Sequence, residues 1–453
     1  MKLKKFGSIL IVMLMLATLM VGCGKKDEVD KPEDNTSKQD TDSSESKETV
    51  TLSFIHNLDP EVEAGGAAAL RNAIEELKVS HPEIIIKEEV LSHDGYDKKI
   101  KALAAGNEMP DLFQVKGSMV DTFISNGIIS DINADLDADP EWKDGFLTGS
   151  FAAFTRDSKI YAVPQSSKST SVVFYNESIF NEVGIKEFPK TWDEFTSAIK
   201  ALKDAGYTPI SLGNKGKWVA ESCILSTLGD RFTGVEWFES IKNHDGAKFT
   251  DPEFVSALTT FQELAKMGAF NTDMNSIDNM QQKTPYYNGK AAMFIEGAWA
   301  ISSIETDAPE EIKNSTKLTI LPTVNDGKGE AMAMSGGASW AFDLNANLTG
   351  AKREAAITVL KALSNETYGA ILAENNSNPA VKAGPYDESK LTRLFKEYNA
   401  LVDNCIYTPV YDAQLSTSVI EVMNSGIQEL LIDMTTPEEL AKKIQTEYEK
   451  ESN

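Results

Sequence analysis

Histidine and cysteine are scarce, with four and three among 453 residues. The histidines, His56, His81, His93 and His244, show neither H-x-x-x-H nor H-E-x-x-H spacing, and no CxxC pair occurs. The usual zinc motifs therefore lack their ligands. No G-x-S-x-G elbow is present, and Gly289-Lys290 is followed by Ala291 where a phosphate-cradling loop carries Ser or Thr. Gly327-Lys-Gly329 reads as a turn. Basic side chains are in deficit: 44 Lys+Arg against 69 Asp+Glu give a formal charge of −25, and the body of the chain has no basic cluster. Nucleic acid and an anionic membrane surface are thus disfavoured as main partners, because both are met by clustered Lys and Arg. No metal and no cofactor is expected. Paired carboxylates leave no sequence fingerprint, so a glycosidase stays open on motif grounds, but the residue types give no positive sign of catalysis.

What is present describes a folded body behind an unusual start. Apolar residues make up 41% of the chain and charged residues 25%, enough to bury a core in two or three domains. Met1-Lys-Leu-Lys-Lys5 is followed by an uncharged stretch from Phe6 to Val21, then Gly22 and Cys23. That stretch is shorter than the roughly 20 residues of a spanning helix, so residues 1–22 read as a secretory signal peptide. The placement of Cys23 resembles a bacterial lipobox, with Met20 where Leu is usual; Cys23 would then be acylated and lead the mature chain. The bland alternative is an ordinary signal or anchor with an incidental Cys. Removing residues 1–22 takes three lysines and no acid, which carries the charge to −28. From Gly24 to Glu48 the only large apolar side chain is Val29. Residues 23–48 therefore read as a lipidated Cys and a disordered tether, with a root-mean-square span of about 28 Å.

In the body, Thr49–Ile55, Ile84–Leu91 and Asp111–Val115 have strand composition. Leu70, Ile74 and Leu77 recur at helical spacing between the first two, and Tyr96, Ile100 and Leu103 between the second and third. This β-α-β-α-β order predicts a parallel sheet with right-handed crossovers. Ligands in such sheets sit beyond the carboxyl ends of the strands, here Ile55-His56-Asn57, Leu91-Ser92-His93 and Val115-Lys116-Gly117-Ser118. Strands are also expected at Lys159–Pro164, Ser171–Tyr175, Lys317–Leu321 and Ser339–Leu344. Thr191-Trp-Asp-Glu194 has capping-box spacing, Asp251-Pro252 reads as an N-cap with Pro in the first turn, and Ala351–Leu363 reads as an amphipathic helix. Cys223 and Cys405 read as buried free thiols, with a disulfide as the alternative.

Several ordered segments carry a resemblance. Ala104-Ala-Gly-Asn-Glu-Met-Pro-Asp-Leu-Phe113, Lys159-Ile-Tyr-Ala-Val-Pro164 with Val173-Phe-Tyr-Asn176, Phe188-Pro-Lys-Thr-Trp-Asp-Glu-Phe195 and Tyr287-Asn-Gly-Lys-Ala-Ala-Met-Phe-Ile-Glu-Gly-Ala-Trp299 together resemble the extracellular solute-binding proteins of ABC sugar importers, the group that includes maltose-binding protein. The resemblance spans nearly all of residues 49–440. It departs from the pattern at Ser158, where Gly is usual, and at Glu177-Ser178. It implies an α/β, two-lobed periplasmic-binding-protein-like fold whose lobes are discontinuous and joined by a hinge, with the ligand cleft between them. The implied N-terminal lobe is 49–163 plus 336–375 and the C-terminal lobe 164–335 plus 376–453, with crossings near Val163–Ser171, Gly329–Ser335 and Asn375–Pro379.

The same resemblance implies a lipid-anchored receptor, not an enzyme, on the outer face of a bacterial cell membrane. It would act as a monomer, binding a sugar or oligosaccharide and passing it to transmembrane permease subunits. A receptor for another polar solute and a surface hydrolase or adhesion lipoprotein are the rival readings. Sugar recognition needs aromatic faces for C–H surfaces and polar groups for hydroxyls. Trp299 matches the Trp that ends the family's G-x-W motif, against a reading as a core Trp. Trp218 follows the polar Gly213–Lys217 loop. His56, Asn57, Lys116 and Ser118 stand at strand ends, Ser169 and Thr170 at the first crossing, and Ser335, Gly336 and Gly337 at the second. Tyr411 and Asp412 are late-chain candidates, while Trp340, alternating within a strand, reads as core. Replacing Cys23 with Ala is expected to release the protein from the membrane fraction; an unchanged membrane-bound share on cell fractionation would refute lipidation at this position.

Overall fold

A computed structural model describes residues 48–452, and the expected signal peptide, Cys23 and tether up to residue 47 lie outside them. Strands β1 (Val50–His56), β2 (Ile84–Val90) and β3 (Leu112–Lys116) alternate with the helices Ala64–Ser80 and His93–Gly106. They pair in parallel in the order β2-β1-β3, as the βαβ pattern requires. After a short hairpin of β4 (Thr155–Arg156) and β5 (Lys159–Ile160), strand β6 (Val163–Pro164) joins the same sheet. Strands β7 (Lys168–Ser169) and β8 (Val172–Asn176) follow, then β9 (Thr208–Ser211), β10 (Ala291–Glu296) and β11 (Thr316–Thr319). These last, with β8, form a second sheet in the order β11-β8-β10-β9. Strand β12 (Ala333–Gly337) lies between β7 and β14 (Ile406–Thr408), and β13 (Trp340–Leu344) returns antiparallel against β3 in the first sheet.

Side-chain alternation puts a separate core on each face of each sheet. Leu52, Phe54, Leu112 and Phe342 face one core with Leu70, Ile74 and Leu360, while Ile55, Phe113, Val115 and Ala341 face another with Tyr96 and Ile100. In the second sheet Phe174 and Phe294 stack at 4.9 Å on one side; Val173, Ala292 and Ile295 pack on the other against helices that include Pro252–Met267 and Thr417–Leu431. The result is two α/β lobes, each with its own sheet and cores.

The chain passes from the first sheet to the second between Pro164 and Val172 and returns between Thr319 and Trp340. Past the border expected at 375, Val381 packs in the first core and bridges to Phe146, and Ala380 accepts the Leu147 N–H. Leu394 and Phe395 then enter a core of the second. Thr191 caps Trp192–Asp204 with the reciprocal Glu194 bond. Asp251, by contrast, does not cap its helix; its carboxylate accepts the Trp237 indole N–H and the Lys248 N–H instead. Cys223 is buried and Cys405 half-buried, and both are free thiols.

The second crossing is held by Arg231, whose buried guanidinium donates to the carbonyls of Leu321, Pro322, Glu330 and Ala333. Next to it, both carboxylate oxygens of Asp230 are buried without a hydrogen-bond partner among the described residues. Burial pushes Asp230 up to about 6, against the pull of Arg231 and with help from Glu236 and Glu330. The folded state thus holds a proton that the unfolded chain gives up near pH 4, and stability present below that pH is lost as pH rises through about 6. The shift corresponds to about 3 kcal/mol at neutral pH. Asp230→Asn is expected to gain up to that amount over the parent between pH 4 and 7 in denaturant melts; a constant difference across this range would show that Asp230 does not titrate there.

Candidate functional site

The two lobes enclose a cavity of about 210 Å³. The first lobe contributes Asn57, Asp59, Val62, Glu63, Ser92, His93, Asp94 and Lys116. The crossings contribute Gln165, Ser166, Lys168, Thr170, Gly337, Ser339 and Trp340. The second lobe contributes Trp218, Ser222, Asp278, Asn279, Met280, Trp299 and Asp412. Most of the first-lobe set stands just past the carboxyl ends of β1, β2 and β3, where parallel strands place their ligand groups.

Aromatic rings run along the wall. Trp218 lies 6.0 Å from Trp299 and 5.0 Å from His93, and His93 meets Trp340 edge-on at 5.6 Å. Trp299 lies close over the backbone because residue 297 is glycine: a Cβ there would fall 2.1 Å from the indole ring. Such a wall offers apolar faces to a ligand, and the polar groups between the rings can satisfy its hydroxyls.

Fully buried Gln114 organises the first-lobe side. Its Oε1 accepts the Asn57 N–H at 2.7 Å, its Nε2 donates to Gln165, and its backbone exchanges hydrogen bonds with the Tyr96 hydroxyl. Asn57 and Gln165 are thereby held at the cavity. Lys116 at the end of β3 donates to Asp412 of the other lobe at 2.8 Å, both residues being buried, and its ammonium lies 5.3 Å from the Trp340 ring centroid. Burial pulls the Lys116 ammonium down, but the carboxylates of Asp412, Asp97 and Glu221 outweigh it and raise it above the ordinary lysine value. Lys168 makes a second ion pair, with Glu63. Asp94 is held below the usual carboxylate range by His93, against the effect of burial. Ser222 reaches the cavity from a π-helical turn, Ala220–Leu225; such turns recur at functional sites. Among the described residues no group of three or more His, Cys, Asp and Glu side chains is gathered to hold a metal ion.

Of the residues singled out in the sequence, Asn57, Lys116, Thr170, Trp218, Trp299, Gly337 and Asp412 line the cavity. The others do not. His56 is a strand-end cap: its Nδ1 accepts the Leu58 N–H, its Nε2 faces Glu88, and burial with Arg71 lowers its pKa to about 4. Ser118 is buried and its carbonyl accepts the Thr417 hydroxyl. Ser169 of the first crossing bonds Tyr398, and Ser335 of the second bonds Thr170 and Thr227, so both hydroxyls are spent inside the protein. Gly336 admits close packing, since a Cβ there would lie 2.9 Å from the Tyr407 ring. Tyr411 is core, stacked on Phe238 at 5.1 Å. Trp340, read as core from its alternation, is half-buried and lines the cavity, because β13 begins at the lobe edge. Ser92, His93 and Asp94 were within reach of the strand-end rule; Asp278, Asn279 and Met280 carry no local signal.

Lys116→Met leaves Asp412 buried without its cation and is expected to cost about 3–5 kcal/mol of folding stability, whereas Lys116→Met with Asp412→Leu should recover most of it. Denaturant melts of the two single variants and the double variant check this; strictly additive effects would mean that the pair is not coupled.

The chain matches the model of the bacterial extracellular solute-binding protein family over residues 61–370. A solved chitin oligosaccharide binding protein is 25% identical with a TM-score of 0.80, covering 89% of this chain and 98% of that one. A structure from work on xylan utilization by the thermophilic bacterium Caldanaerobius polysaccharolyticus is 26% identical with a TM-score of 0.78, covering 88% and 99%. The diacetylchitobiose binding protein DasA of Streptomyces coelicolor is 25% identical over 229 residues, 48% of this chain and 50% of DasA. The chain spans about half the length of the curated relatives it matches. With this family match and two lobes around a shared cavity, the chain belongs to the bacterial extracellular solute-binding proteins.

Proposed function

We propose that this protein is a receptor that captures a sugar, an oligosaccharide, between its lobes and delivers it unchanged to the permease of an ABC transporter. The observation that carries the reading is the cavity wall: three indoles and an imidazole interleaved with amide, hydroxyl and carboxylate groups. A pyranose presents the matching pattern, C–H faces for the rings and a girdle of hydroxyls for the polar groups. Relatives named for chitin oligosaccharide and diacetylchitobiose support the same class of ligand. The receptor acts as a monomer held at the outer face of the cell membrane through acylated Cys23 and the tether that follows it. Closure is a hinge rotation at the crossings, and the ligand drives it by binding the closed state more tightly than the open one.

A thermal-shift panel of N,N′-diacetylchitobiose, xylotriose and maltotriose tests this. A cognate sugar stabilises by about 2.7 kcal/mol at 100 times its Kd, compacts the protein in solution scattering and is recovered intact; conversion of the sugar would make the protein an enzyme. Trp299→Ala is expected to weaken binding by about 2–4 kcal/mol, roughly 30- to 1,000-fold. A near-normal affinity with a loss of about 3–5 kcal/mol in folding stability would instead make Trp299 a core residue.

A further inference from the structure

Beneath the second-lobe wall lies a carboxylate that does not itself line the cavity. Glu296, the last residue of β10, is fully buried. Its Oε1 accepts the Trp299 indole N–H at 2.9 Å and the Asn279 side-chain amide at 2.9 Å. Its Oε2 accepts the Gln282 amide at 3.0 Å and lies 3.6 Å from the ammonium of Lys283, which is itself bonded to Ser303. Three hydrogen-bond donors and one ammonium thus converge on one carboxylate, and two of the donors belong to residues of the cavity wall.

We infer that Glu296 is the positioning residue of the sugar site, fixing what Trp299 and Asn279 can offer a ligand. The argument is one of donor accounting. An ionised carboxylate only accepts. Trp299 has a single N–H and spends it on Glu296, so it has ring faces, not a hydrogen bond, to give the ligand. Asn279 must turn its NH₂ to the same oxygen, which leaves its carbonyl oxygen to accept a sugar hydroxyl. The missing side chain at Gly297 lets the ring settle into this position. Lys283 supplies the counter-charge for this carboxylate buried away from water. The identity of the bound molecule rests on the receptor reading above; the hold on Trp299 does not.

Glu296→Gln in the full-length chain tests the inference. Glutamine keeps the size but has one accepting oxygen and brings an NH₂ to face three existing donors and an ammonium. The Trp299 indole ¹H–¹⁵N signal, assigned by its loss in Trp299→Phe, is expected to shift. Affinity for N,N′-diacetylchitobiose or xylotriose, whichever the parent binds, is expected to fall about 10- to 100-fold, the worth of a hydrogen bond to a charged group. An unmoved indole signal, or an affinity within about twofold of the parent, overturns it. Should neither sugar bind the parent, it is the receptor reading that fails for these sugars, and the indole signal alone decides whether Glu296 holds Trp299. If Glu296→Gln does not fold, Glu296→Asp keeps the charge for Lys283 while withdrawing the oxygens by one methylene; it must then show the same shift and the same loss, or the inference is wrong.

Discussion

Polar groups must be buried between the lobes and still be satisfied, and the site is organised around that constraint. The apolar cores lie within each lobe, on the faces of its own sheet. At the cleft the lobes meet through Lys116 and Asp412, and through the Thr417 hydroxyl on the Ser118 carbonyl. Contacts of this kind are expensive to bury without a partner. They can be exchanged for water when the lobes part, which an apolar interface would resist. The close approach also needs Gly117, where a Cβ would fall 2.0 Å from the Ala413 carbonyl oxygen.

Two buried polar hubs extend the same logic to the wall itself. Gln114 sits under the first lobe and holds Asn57 and Gln165; Glu296 sits under the second and holds Trp299 and Asn279. Neither reaches the ligand space. Each spends the hydrogen-bonding capacity of its neighbours in one direction, so that the groups left over face the cavity in a set orientation. Preorganisation of this kind lowers the ordering cost of binding, and it sits on strands, within β3 and at the end of β10, rather than on loops.

The fold was legible because its signals are local. The strand composition at 49–55 and 84–91, the helical spacing of Leu70, Ile74 and Leu77, and the Thr191–Glu194 box each act over a few residues, and the elements form there to within a residue. Asp251-Pro252 shows the limit. The local pattern is a helix start, and the helix does start there, but the Trp237 indole competes for the Asp251 carboxylate and takes it from the cap. That competition involves a partner 14 residues away, and no cap rule contains it.

The site was legible only in part, for a related reason. Strand-end position and motif marked Asn57, Lys116 and Trp299, because a parallel sheet directs its carboxyl ends to one edge whatever the sequence between. Which strand-end residue faces the cavity was decided elsewhere. His56 and Asn57 are neighbours, yet a strand turns successive side chains to opposite sides; His56 turns into the protein and Asn57 to the cleft. Asp278, Asn279 and Met280 become wall residues only because Glu296 and Gln282, distant from β1–β3 in the chain, fold beneath the same cavity. By itself the sequence determined the elements, their parallel order and the stretch that carries each candidate. The tertiary structure alone decided which candidates meet, since a cavity between lobes is closed by contacts such as Lys116 with Asp412, 296 residues apart, whose pairing no local periodicity encodes.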